Sequence, residues 1–296
     1  MKIAAAAYAP QWHADWDSLA AKLDRWVADA AAQGAELLVF PEYAGVEAAL
    51  IGTPKDRDPL AWVAQCVAVQ DQWIALNARL AQTHDLHILA GSLPWWDGSA
   101  TTNMAALCDS NGQAAFQHKL ILTPYERDEM GLSAGNDLRL FDTDLGKIGV
   151  LICYDSEFPL LARALASAGA DMILVPSNTD FPAGQTRVRQ SCRARAIEQQ
   201  CLIVQAPLVG DVPDCAIADT QTGRAGFFGP PDHGLPASGI IAQGDTDVAG
   251  WTIADLDPQA IAAPRQSGQV GNFAHWPEQD HRVKSVTVMG LGQFST

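Results

Sequence analysis

One stretch, Lys147–Leu161 (KIGVLICYDSEFPLL), constrains this chain more than any other. Its apolar run Ile148–Ile152 has the length and β-branched content of a buried strand, and Pro159 stands where a helix begins its first turn. Cys153 therefore falls at a strand-to-helix junction. There it would sit on a rigid element, with N–H groups at the start of the helix favouring a thiolate or an oxyanion beside it. That is a place for a nucleophile.

The flanking pattern predicts mixed βαβ units and hairpins in one domain, 1–296, with 266–296 as a C-terminal arm. Before Cys153 the expected order starts with a strand in KIAAAA. A helix follows over SLAAKLDRWVADAAAQ, capped by Asp15 or Asp17 and ended by Gly34, and then a strand in AELLVFPE. A variable loop, Gly45–Pro59, precedes a helix over Leu60–Gln82 and a strand over His87–Leu93. Asn111-Gly112 marks a hairpin between Met104–Cys108 and Gln113–Leu120. LRLFDT and KIGVLICY form a second hairpin. After Cys153 come a helix (Pro159–Ala168), a strand (Asp171–Pro176), a helix (about Gln185–Gln199) and a strand (Cys201–Ala206). Pro207–Gly250 carries only short strand-like pieces, CAIAD and GIIAQ, before a last strand at Trp251–Asp255. The arm is polar apart from Val283–Met289.

Composition narrows the function classes. With 19 basic against 34 acidic side chains the net charge is −15, which repels phosphate backbones and anionic lipid surfaces. Nucleic acid and membrane are thus poor partners. The apolar start MKIAAAAYAP is too short for a membrane span and reads as a core strand. Six scattered cysteines without CxxC spacing suggest reduced thiols in the cytoplasm and no zinc site.

An acyl-transfer cysteine needs a base for its proton and a cation or N–H pair for the developing oxyanion. Glu42 and Lys119, both near expected strand ends, can supply these. Taken singly, Cys153 reads as a small core hydrophobe, Glu42 as a solvated carboxylate and Lys119 as an edge-strand lysine. Their joint order is what points to chemistry. FPE, then HKLIL with an acidic residue a few positions on, then GVLICYDSEFP before a helix resembles the nitrilase, or carbon–nitrogen hydrolase, superfamily. The resemblance runs from Lys2 to about Ala206 and includes GAELLVFPE, GADMILVPS and ARAIEQQ.

That resemblance implies an α/β fold, a four-layer α-β-β-α sandwich, with Glu42 as general base, Lys119 as oxyanion-stabilising lysine and Cys153 as nucleophile. It implies a second glutamate, Glu126, with Glu129 as the alternative, and it requires no metal or organic cofactor. The expected reaction is hydrolysis of a small linear amide through a thioester, with Tyr154 and Asn178 at the substrate. Tyr154-Asp155 after the cysteine resembles the amidase branches, whereas Trp-Glu marks nitrilases. Nitrile or N-carbamoyl substrates are the alternatives, beside a catalytically idle scaffold and a redox sensor at Cys153. The family also implies a homodimer or higher homo-oligomer. Asp155 reads as a helix cap, and the segment Ser177–Phe181 as either pocket or turn. Arg187, Arg189, Arg193 and Arg195 read mainly as helix-surface residues, one of which could meet a substrate carboxylate. Gly131-Leu132-Ser133-Ala134-Gly135 fits the GxSxG elbow but lacks its strand and helix, so Ser133 reads as a loop serine.

Overall fold

The computed structural model describes residues 1–52 and 58–290. Two six-stranded sheets lie between pairs of helices, giving the expected four layers. The first sheet has the order β12-β1-β2-β3-β4-β5, where β1 is Lys2–Ala7, β2 Leu37–Val39, β3 His87–Trp96, β4 Thr101–Cys108, β5 Ala114–His118 and β12 Gly250–Asp255. The second has the order β11-β10-β9-β8-β7-β6, from β6 Leu140–Thr143, β7 Gly146–Val150, β8 Met172–Ser177, β9 Leu202–Pro207, β10 Gly226–Phe228 and β11 Ile240–Gln243.

Strand periodicity builds the layers. Alternate residues of β1 face opposite ways. Ala4, Ala6 and Tyr8 join a core with Leu19, Leu23 and Val27 of α1 (Trp16–Ala32) and with Trp73, Leu76 and Leu80 of α2 (Pro59–His84). Ile3, Ala5 and Ala7 join the second core instead, with Ile148, Val150, Met172 and Leu174 of the other sheet. That core also takes in Ala162 and Leu165 of α4 (Pro159–Ser167) and Val188, Cys192 and Ala196 of α5 (Pro182–Gln199). Asp15 caps α1 through a reciprocal pair with Ser18, and Gly34 follows the helix at φ +81°.

Two expectations need correction. CAIAD is not a strand: Cys215 N–H bonds Val212 O and Ala218 N–H bonds Cys215 O, so the segment closes into tight turns. In its place β10, too short to show periodicity, pairs with β9 and β11. The first part of the Gly45–Pro59 loop is a fully buried 3₁₀ turn, Ala44–Ala49; residues 53–57 lie outside the described residues. Its Glu47 carboxylate accepts from Gln11 N–H (2.9 Å), Lys22 Nζ (2.6 Å) and Tyr8 OH and contacts His13 Nε2 (2.9 Å), which satisfies a buried charge. The C-terminal arm begins docked. The Arg163 and Arg265 guanidiniums lie over the Phe273 ring, and Gln200 bonds Val270 O and Phe273 N–H. Val283, Val286 and Val288 farther along are exposed. Among the described residues no helix is long and apolar enough to cross a membrane.

Candidate active site

Glu42, Lys119 and Cys153 meet at the carboxyl ends of β2, β5 and β7. Pro41 cannot donate to a ladder, so β2 stops at Val39 and the chain leaves the sheet at Glu42. Opposite it, Gly91 bulges out of β3 at φ +72°; a Cβ there would lie 2.1 Å from Pro41 O, so only glycine lets the two backbones approach. Lys119 follows β5 and is braced by two backbone bonds, its N–H to Asn103 O (2.8 Å) and its O from Gly135 N–H (2.7 Å). The Gly131–Gly135 segment thus serves Lys119. Ser133 is exposed in it, so Ser133→Ala is expected to leave turnover within about twofold of the parent, checked by initial rates.

Cys153 opens a 3₁₀ turn, Cys153–Glu157, in the left-handed region at φ +49°. A non-glycine residue held there is strained, which is common where a reactive side chain must be aimed. Its Sγ donates to Asn178 O (3.3 Å), while Asn178 N–H donates to Glu42 Oε2 (2.9 Å). Residue 178, just after β8, therefore templates both groups.

The Lys119 ammonium lies 2.7 Å from Glu42 Oε1 and 2.8 and 2.7 Å from the two Glu126 oxygens. All three side chains are buried. Burial disfavours the Lys119 charge, but the two carboxylates outweigh it and hold the amine protonated. Glu126 sits in a short helix, α3 (Pro124–Asp128), whose capping box with Thr123 places Thr123 N–H 2.9 Å from Glu126 Oε2. Despite burial, Lys119 and these donors keep its carboxyl below the usual range. Glu129 is exposed, so the geometry selects Glu126. Burial pushes Glu42 up, with Lys119 opposing and Glu126 reinforcing the rise.

One expectation about Cys153 reverses. Burial pushes its thiol well up and Glu42 pushes it further, against a smaller pull from Lys119. The 3₁₀ turn separates it from α4, so a helix start does not hold a resting thiolate. Burial and Glu42 both favour the neutral thiol, whose Sγ donates to Asn178 O.

Three further partners were not assigned from sequence. Asp155 caps the Cys153 turn by accepting from Ile152 N–H (3.3 Å), and its buried carboxylate also accepts from Ile121 N–H (2.8 Å) and Leu120 N–H (3.2 Å), tying the Lys119 segment to that turn. Burial pushes its pKa up to about 7. Tyr43 OH donates to Glu126 Oε1 (2.6 Å), and Asn103 of β4 reaches both carboxylates. Thr123-Pro-Tyr-Glu126 is a capping-box signal that would have chosen Glu126 from sequence.

A cavity of about 580 Å³ opens onto this cluster. Tyr154, Asn178, Asp180 and Phe181 line it, as do Ala216 and Ile217 from the Pro207–Gly250 region. Tyr125 OH, donating to Ala216 O at 2.7 Å, ties that segment to α3. Of the four arginines, Arg187 alone lines the cavity, paired with Glu157 at 3.3 Å. Arg189, Arg193 and Arg195 bond Gln243, Ser238 O and Glu198. Among the described residues no group of His, Cys, Asp and Glu side chains is arranged to hold a metal ion.

A four-layer sandwich with a cysteine, a lysine and two glutamates gathered at its sheet ends defines a nitrilase-superfamily protein. Residues 2–266 match the carbon-nitrogen hydrolase family model, and the chain belongs to that family. It is 33% identical over 255 residues to the probable hydrolase YhcX of Bacillus subtilis, covering 86% of this chain and 49% of that one. The chain thus spans about half the length of that relative. It is 27% identical over 239 residues to the 2-oxoglutaramate amidase of the same organism, covering 79% and 82% of the two chains. Among solved structures, a cysteine-to-alanine mutant of the Nesterenkonia AN1 amidase superposes with a TM-score of 0.70 at 25% identity, over 88% of this chain and 92% of that one.

Proposed function

We propose that this chain hydrolyses a small linear amide through a cysteine thioester. The observation that carries the proposal is the convergence of Glu42, Lys119 and Cys153, from three separate strand ends, at one cavity. Glu42 takes the thiol proton as Sγ attacks the carbonyl carbon, forming the C–S bond and a tetrahedral oxyanion. Lys119 and the N–H of Tyr154 stabilise that oxyanion. As Glu42 becomes neutral its hold on the ammonium weakens, freeing an N–H for the oxyanion. Glu42 then returns the proton to the leaving nitrogen, and ammonia or an amine departs. Water, deprotonated by the same carboxylate, attacks the thioester; the carboxylic acid leaves and the thiol is restored.

Tyr154-Asp155 after the cysteine favours an amide over a nitrile, and two similar proteins carry amidase names. Tyr154 and Asn178 face the substrate. In this proposal the chain acts in the cytoplasm as a homodimer or higher homo-oligomer and needs no cofactor. The test is ammonia release across linear amides, carbamoyl compounds and nitriles, with mass spectrometry for an adduct on Cys153. Turnover of amides is expected; turnover of nitriles alone would move the assignment to the nitrilases. Silence with no adduct would favour a scaffold.

A further inference from the structure

We infer that Asn103 is a positioning residue that decides which oxygen of Glu42 carries the proton. The inference rests on the cysteine–glutamate chemistry proposed above. Asn103 lies in β4, fully buried, at the position opposite the strand end that carries Lys119. Its Nδ2 stands 2.9 Å from Glu42 Oε1 and 2.9 Å from Glu126 Oε1, so its two N–H groups serve the two carboxylates. Among the described residues its Oδ1 has no hydrogen-bond partner, so the amide is held here as a donor.

The two oxygens of Glu42 are consequently unlike. Oε1 accepts from the Lys119 ammonium and from Asn103, and two donors leave no room for a proton. Oε2 accepts from Asn178 N–H, and Asn178 O is the acceptor for Cys153 Sγ. With Oε1 filled, the proton taken from sulfur is received and returned on Oε2. Asn103 also stabilises the ionised carboxylate by a charge-assisted bond, which keeps Glu42 available as a base despite its burial.

The test uses Asn103→Leu, which keeps the volume and removes both donors. Alkylation of Cys153 by iodoacetamide, followed by peptide mass spectrometry across pH, reads the cysteine–glutamate pair without requiring the right substrate. The acidic limb of the rate profile is expected to move up by about one pH unit, and kcat on any amide turned over to fall about tenfold with KM little changed. A merely structural role would not move the limb. Should the leucine variant fail to fold, Asn103→Ser, with one hydroxyl donor for two acceptors, is measured instead, and its limb must also rise. A limb unchanged or moved down in the folded variant overturns the inference. A limb that rises while no amide is hydrolysed upholds it and overturns the amidase assignment alone.

Discussion

Replacing Cys153 by alanine is expected to abolish amide turnover, a loss on the order of 10⁴-fold or more in ammonia release. The size follows from the proposed chemistry: without sulfur there is no acyl intermediate, and the remaining groups cannot make one. The melting temperature should stay within a few degrees, because the side chain makes one long bond to Asn178 O and alanine fits the same cavity wall. Glu42→Gln should cost nearly as much by a different route. The thiol is neutral at rest, so its proton must leave during attack, and an amide side chain cannot take it. The two variants are separable: rapid alkylation of Cys153 persists in neither, but only the glutamine variant retains a sulfur that harsh pH can ionise. Residual turnover in Cys153→Ala above about 1% of the parent rate would end the proposed mechanism.

The parts of this site written as local patterns were legible before any coordinates. A proline after a buried strand ends β2 at Val39, and Glu42 follows it. Gly34 closes α1, and Asn111-Gly112 turns β4 into β5. What escaped were contacts between segments distant in sequence. Asn103 precedes the apolar residues Met104–Cys108, and a strand drawn from apolar content alone begins one residue too late to include it. Asp155 has the local look of a cap, yet its acceptors also serve backbone N–H groups 34 and 35 residues away. Glu47 sits in a Gly/Ala-rich segment that reads as variable loop, because the lysine, tyrosine and histidine that satisfy its charge come from α1 and the residues after β1. CAIAD failed as a strand for the converse reason. Alternation was present, but local bonds from Cys215 N–H to Val212 O and from Ala218 N–H to Cys215 O turn the segment on itself.

Lys119→Met should inactivate the protein and, more diagnostically, make its stability depend steeply on pH. In the parent, Glu126 titrates below its unfolded value of about 4.5, so it contributes stability above that value that is lost as pH falls through the lower folded one. Glu42 is raised, so its contribution is fully present below about 4.5 and is lost as pH rises through the folded value. The ammonium lowers both carboxylates, and removing it sends both folded values upward. Two buried carboxylates 2.7–2.8 Å from a former cation would then face one another without compensation. At pH 7 the variant should be less stable than the parent by about 3–5 kcal/mol. Because protonation neutralises the uncompensated pair of charges, that deficit should shrink steadily as pH falls toward 4.5. Urea unfolding of both proteins from pH 4.5 to 8 measures it directly. A deficit of equal size at every pH would mean that Lys119 contributes packing alone, and that the charge balance joining Glu42, Lys119 and Glu126 is not what holds this site together.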